Sequence, residues 1–129
     1  MRVYISGPMI SKPNHNIQAF LAAAERLRAA GHFVINPIDL GSVFGTLEEI
    51  ERGFFNLYLG FDPNGEYKPL IGECCAIAQA VMDADLAAVR SCDAIYMLKG
   101  WKSSRGARRE IEVALRHNLK IIEEGAEQE

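Results

Sequence analysis

The alternation of apolar and polar positions divides the chain into strands and helices. Arg2–Ile5 (RVYI) is a short β-rich run closed by the turn signal Ser6-Gly7-Pro8. After Asn16, the apolar residues Ile17, Phe20, Leu21, Ala24 and Leu27 recur at helical spacing. Asn16 is therefore expected to cap a helix and Gly31 to end it. His32–Asn36 (HFVIN) reads as a second strand, halted by Pro37. Further on, the pattern predicts a helix at about 73–91, a buried strand over Ala94–Leu98 (AIYML) and a polar turn from Lys99 to Ser104. A helix at about 105–117 and a last strand over Leu119–Ile122 complete the series. Strands alternating with helices in a short chain favour a mostly parallel sheet with helices on both faces, a Rossmann/flavodoxin-like three-layer α/β sandwich.

Two segments depart from this alternation. Residues 38–72 are glycine-rich and carry Phe54, Phe55, Tyr58, Phe61 and Tyr67. So many aromatics argue against a disordered linker and for a structured insertion or a lid. Residues 123–129 (EEGAEQE) read as a solvated tail.

A length of 129 residues and a mass of 14.3 kDa fit one domain, 1–129. The formal net charge of -3 argues against general nucleic-acid binding, leaving room for a local basic pocket. No run reaches the roughly 20 apolar residues of a membrane span. Three cysteines, two of them the adjacent Cys74 and Cys75 and the third Cys92, suggest reduced thiols in a cytoplasmic protein. Cys74 and Cys75 are expected to pack as apolar residues. No spacing of Cys or His suggests a metal site, and no cofactor is implied.

In an open parallel sheet, ligands bind beyond the carboxyl ends of the strands. Ser6-Gly7-Pro8 and the segment Lys99–Gly106 both fall there. Ser103, Ser104 and Gly106 could offer hydroxyls and helix N-terminal amides to an anion, with Lys99, Lys102, Arg105, Arg108 and Arg109 adding charge. The pattern lacks GxxxxGK[ST], so it is no P-loop, and an ordinary capped helix with solvated charges is the competing reading.

Glu110 is the sharper signal. At about 100° per residue, Ala107, Ile111, Ala114 and Leu115 share one helix face extended by Val113, and Glu110 falls inside that apolar arc. A carboxylate there is costly unless paired or functional. Pairing with a nearby Arg, or exposure at the sheet's edge, would also account for it. Asp83 and Asp85 read by default as solvated helix charges, and Asp93 as a residue holding the turn into the AIYML strand. His15 reads as an exposed loop residue, His32 and His117 as structural or surface-exposed. Trp101 is open between stacking on a ligand base and ordinary packing.

Three segments together resemble the nucleoside 2-deoxyribosyltransferase superfamily, which includes the 2'-deoxynucleoside 5'-monophosphate N-glycosidases. They are Val3-Tyr-Ile-Ser-Gly-Pro8, Asp85-Leu-Ala-Ala-Val-Arg-Ser-Cys-Asp93 and Ser104-Arg-Gly-Ala-Arg-Arg-Glu-Ile-Glu-Val-Ala114. They keep the family's order over most of the chain outside 38–72, and the chain is also similar to small phage and bacterial members. The resemblance implies that Glu110 is the nucleophile and Asp85 a second acidic group that contacts the base or aids its departure. Tyr4, Ser6, Gly7 and Pro8 would lie beside sugar and base. Ser104 and Gly106 would cradle a phosphate, since relatives acting on free nucleosides typically carry Asp where Ser104 stands. Glu112 departs from the family's usual Gly.

The activity so implied is hydrolysis of the N-glycosidic bond of a (deoxy)nucleoside 5'-monophosphate to free base and sugar phosphate. The alternatives are a deoxyribosyltransferase exchanging bases, a non-catalytic nucleotide-binding module, and a partner-binding role built on the aromatic insertion. A homodimer or higher homo-oligomer is the expected assembly, with a small nucleotide as the partner molecule and neither membrane nor nucleic-acid polymer.

Overall fold

Val3, Tyr4 and Ile5 have no solvent exposure, because the strand they form, Arg2–Ser6, lies inside a four-stranded parallel sheet between Phe33–Ile35 and Ala94–Met97, with Lys120–Glu123 beyond the latter. The computed structural model describes residues 1–9, 12–46, 50 and 73–125. Its strands are β1 (Arg2–Ser6), β2 (Phe33–Ile35), β3 (Ala94–Met97) and β4 (Lys120–Glu123). Tyr4 stands between Ile35 of β2 and Ile95 of β3, and Ser6 pairs with Met97. The helices are α1 (Ile17–Ala29), α2 (Pro37–Gly41), α3 (Glu73–Arg90) and α4 (Arg105–Arg116). The Rossmann/flavodoxin-like class expected from the sequence is the observed one.

Side chains alternate across β1 and so feed two cores. Val3 and Ile5 join Phe20, Ala23 and Ala24 of α1, together with Tyr96 and Leu98. Tyr4 joins Val89 of α3, Ala107 and Ala114 of α4, and Ile95 and Met97 of β3 on the opposite face. Burying both faces explains why β1 and β3 read as continuous apolar runs. The strand order reverses between β1 and β3, so the carboxyl ends of these two neighbours form the topological switch point where ligands enter such sheets.

Several local expectations change. Asn16 precedes α1 but does not cap it: its backbone is left-handed (φ 60°) and its Nδ2 donates to the Pro8 carbonyl at 2.8 Å. Asn14, His15 and Asn16 form a left-handed run (φ 50°, 54° and 60°), a tight reversal that leaves His15 half-buried and not freely exposed. Pro37, expected only to stop β2, is the first residue of α2, whose cap is Asn36 Oδ1 accepting from Ile38 N at 3.1 Å. Glu123 and Glu124 are not tail residues. Glu123 ends β4, and Glu124 Oε2 accepts from Lys99 N at 2.8 Å while Oε1 lies 3.8 Å from Arg26. Leu115, placed on the apolar arc of α4, is 59% exposed because the sheet covers only the centre of that arc.

Most of the 38–72 segment lies outside the described residues, as do the side chains of Cys74 and Cys75. Cys92 is a buried free thiol. Asp93 has the structural role expected of it: its Oδ2 accepts from Arg2 N at 2.8 Å, tying the start of β1 to the entrance of β3. Among the described residues, no helix is long and apolar enough to cross a membrane.

Candidate active site at the end of the first strand

Two hydroxyls clamp the Glu110 carboxylate. Tyr4 Oη donates to Oε2 and Ser6 Oγ to Oε1, each at 2.6 Å. Tyr4 and Ser6 are two positions apart on β1 and so project from the same face, toward α4. Glu110, in the second turn of α4, projects back at them from the apolar arc. Short bonds to a charged acceptor are the strong kind, and both oxygens of the carboxylate are engaged. Neither alternative for Glu110 holds: among the described residues no arginine pairs with it, and it is partly buried.

Asp85 is not the solvated helix charge that its sequence context suggests. It is 9% exposed, and its Oδ1 is buried with no hydrogen-bond partner among the described residues. Asp83, two residues earlier, is exposed and accepts from Gln79 Nε2 at 3.0 Å. One helical residue is 100° of rotation, so neighbouring carboxylates of similar sequence context meet opposite environments. The Tyr4 hydroxyl lies between the two acids. It donates to Glu110 and also interacts with Asp85.

Burial controls the proton affinities here. It pushes Asp85 up to about 8, with the Glu110 charge adding to the rise and the Tyr4 hydroxyl opposing it. It pushes Glu110 up to about 7, against the opposing bonds from Ser6 and Tyr4. Glu110 keeps some solvent contact as a residue, whereas its carboxyl end is deep enough for desolvation to dominate. The Tyr4 phenol is raised well above its usual range, first by burial and then by the two acids, so it remains a donor. Two acids held at different affinities beside one hydroxyl can divide the roles of proton donor and nucleophile.

The remaining sequence candidates occupy the surrounding edge. Ser104 caps α4, its Oγ accepting from Ala107 N at 3.2 Å, which leaves the hydroxyl proton free to donate. A Cβ on Gly106 would come no nearer than 3.9 Å, to Ser104 Oγ, so this glycine keeps the helix start open without being sterically required. Gly7 is required: a Cβ there would lie 2.7 Å from Leu98 Cβ. Pro8 is buried against the same wall, 3.6 Å from a Cβ placed at Gly100. Gly7 and Pro8 thus seat the β1 turn on the end of β3. Trp101 packs against the Tyr4 side of the core with Lys102 Nζ 5.8 Å from its ring centre, which favours the packing reading.

The cationic surround divides in two. Lys99 and Lys102 stay at the strand-end edge, whereas Arg105, Arg108 and Arg109 line a groove with Arg90 of α3, on the side of α4 away from Glu110. Glu112 is exposed on that outer side, 3.8 Å from Arg116. The sequence reading missed Asn36, whose Nδ2 is buried at the end of β2, beside β1, with no partner among the described residues. The Asn-Pro pair closing a strand at the ligand edge was the available signal.

No curated protein and no solved structure matches the chain. A family model described as a domain of unknown function, DUF4406, matches residues 1–53 and 68–123. The matched part contains Tyr4, Ser6, Asp85, Ser104 and Glu110, and omits 54–67 within the aromatic-rich segment. The chain belongs to the DUF4406 family.

Proposed function

We propose that the protein hydrolyses the N-glycosidic bond of a (deoxy)nucleoside 5'-monophosphate, and that the clamp of Tyr4 and Ser6 on Glu110 at the switch point is the observation that carries this reading. A carboxylate fixed by two hydroxyls has one trajectory and a stabilised charge. These are the needs of a nucleophile at an anomeric carbon with oxocarbenium character. Asp85, held protonated by burial, delivers its proton to the departing base. The C1'–N bond breaks as the Glu110 oxygen bonds to C1'. Water then attacks C1' of the glycosyl-enzyme, the Glu110–C1' bond breaks, and the water's second proton returns to Asp85. The net reaction consumes one water and yields free base and sugar 5-phosphate. Ser104 and the first amides of α4 face the 5'-phosphate, with Lys99 and Lys102 on the same edge.

The test is chromatography of ribo- and deoxyribonucleoside 5'-monophosphates, and of the matching nucleosides, after incubation with wild type and Glu110→Ala. Free base from monophosphates, lost in the variant, is the expected result. Base exchange confined to unphosphorylated nucleosides would overturn the phosphate assignment in favour of a transferase. Tight nucleotide binding with no released base would overturn catalysis.

A further inference from the structure

The groove between α3 and α4 is rich in arginine. It is an open groove of about 700 Å³, lined by Arg90, Arg105, Arg108, Arg109 and Arg116 together with Leu86 and Val113. Five of the chain's nine arginines gather there and none of its four described lysines. Glu112 is the one acid among the described lining residues, and it already lies 3.8 Å from Arg116. Acids outnumber bases 17 to 14 in the chain, yet Arg90, Arg108 and Arg109 have no carboxylate partner among the described residues. Guanidinium groups concentrated in this way, three of them (Arg90, Arg108 and Arg109) without a carboxylate among the described residues, cost self-repulsion that an external polyanion relieves.

We infer that this groove binds the phosphodiester backbone of a nucleic-acid strand, at a site separate from Glu110. Arginine in place of lysine suits bidentate contact with phosphate. Arg105 and Arg109 lie about one turn apart along α4 and Arg116 about two turns further, so at about 5.4 Å per turn they form a row along the helix that a strand's repeating phosphates can follow. Among the described residues the lining contains no aromatic side chain. The described lining thus offers guanidinium groups for phosphates and no ring for base stacking, which favours contact with the backbone over base readout. Net charge alone argues against such a partner; the local arrangement outweighs it, because screening confines electrostatic attraction to about 8–10 Å at ordinary salt.

The experiment is fluorescence anisotropy of labelled oligothymidylate, titrated with wild type, Arg109→Ala and Arg90→Ala/Arg109→Ala across a salt series. These residues are exposed, and matching circular dichroism and melting curves will show that the variants fold. Wild-type affinity should fall steeply with salt, and each removed arginine should flatten the logarithmic salt slope by about 0.7. Absence of binding at low salt, or binding that the substitutions leave unchanged, would overturn the inference. Equal competition by polyglutamate would overturn it in favour of an acidic protein partner. A change of oligomeric state in Arg108→Ala/Arg109→Ala, read by sedimentation, would overturn it in favour of a contact between copies. None of these readouts depends on glycosidase activity.

Discussion

Tyr4 and Glu110 stand 106 positions apart in the chain and 2.6 Å apart in space, joined by a hydrogen bond from the phenol to Oε2. The bond links the central strand to the helix that follows its neighbour β3, so the sheet's topology delivers it. Replacing Tyr4 with Phe keeps the ring in its core and removes only this donor. A hydrogen bond to a charged group contributes about 1.5–3 kcal/mol, so Tyr4→Phe should cut kcat/KM roughly ten- to hundred-fold. Because the bond holds Glu110 down, its loss should also move the acidic limb of the pH–rate profile upward. An unmoved limb would place Tyr4 outside the reaction.

The two acids predict a narrow pH window. The proposed reaction needs Glu110 ionised and Asp85 protonated, and burial pushes their transitions up to about 7 and about 8. The profile of kcat/KM should be a bell between those limbs, and Asp85→Asn should lose the alkaline one. Stability carries the same signature. Both folded values lie above the ordinary 4.5 and 3.8 of the free acids, so the folded protein holds more protons than the unfolded chain between about 4 and 8. Stability therefore falls as pH rises through that interval. Urea midpoints measured across it should decline more steeply for wild type than for Asp85→Asn, and parallel curves would contradict the burial of Asp85.

Much of this arrangement was legible beforehand. Periodicity located the strands and the main helices, and the helical wheel of 105–117 put Glu110 among apolar neighbours. Asp85 shows where periodicity stops. Asp83 and Asp85 share a helix and a local composition, and only the packing of α3 against the sheet decides which is buried. The reach of Arg105, Arg108 and Arg109 was equally invisible. Counted along the chain they adjoin Ser104, whereas the helix turns them toward Arg90 of α3. Asn16 shows capping propensity overridden by a tertiary contact, since Pro8 O offers its side chain a partner that an unfolded segment lacks.

Gly7 couples the turn to the site. Its missing Cβ would sit 2.7 Å from Leu98 Cβ, and the backbone of Leu98 donates to Ser6 O at 2.8 Å. Gly7→Ala should cost about 1–3 kcal/mol by overpacking. It should also lower activity by shifting Ser6 away from Glu110. Thermal unfolding alongside kcat separates the two effects. A melting curve identical to wild type would mean that the turn yields without strain.

Ser104 offers the clearest separation of structure from recognition. Its Oγ caps α4 through Ala107 N, a role that Asp fills as well as Ser. Ser104→Asp should therefore melt like wild type, while its charge repels a substrate phosphate and raises KM for monophosphates at least tenfold. Cleavage of the unphosphorylated nucleosides should be spared. Ser104→Ala should do the reverse. Losing the cap costs about 1 kcal/mol of stability, and KM rises only by the loss of one neutral donor. Equal effects of Ser104→Asp on phosphorylated and unphosphorylated substrates would confine Ser104 to capping and leave the phosphate to the lysines of the strand-end edge, Lys99 and Lys102.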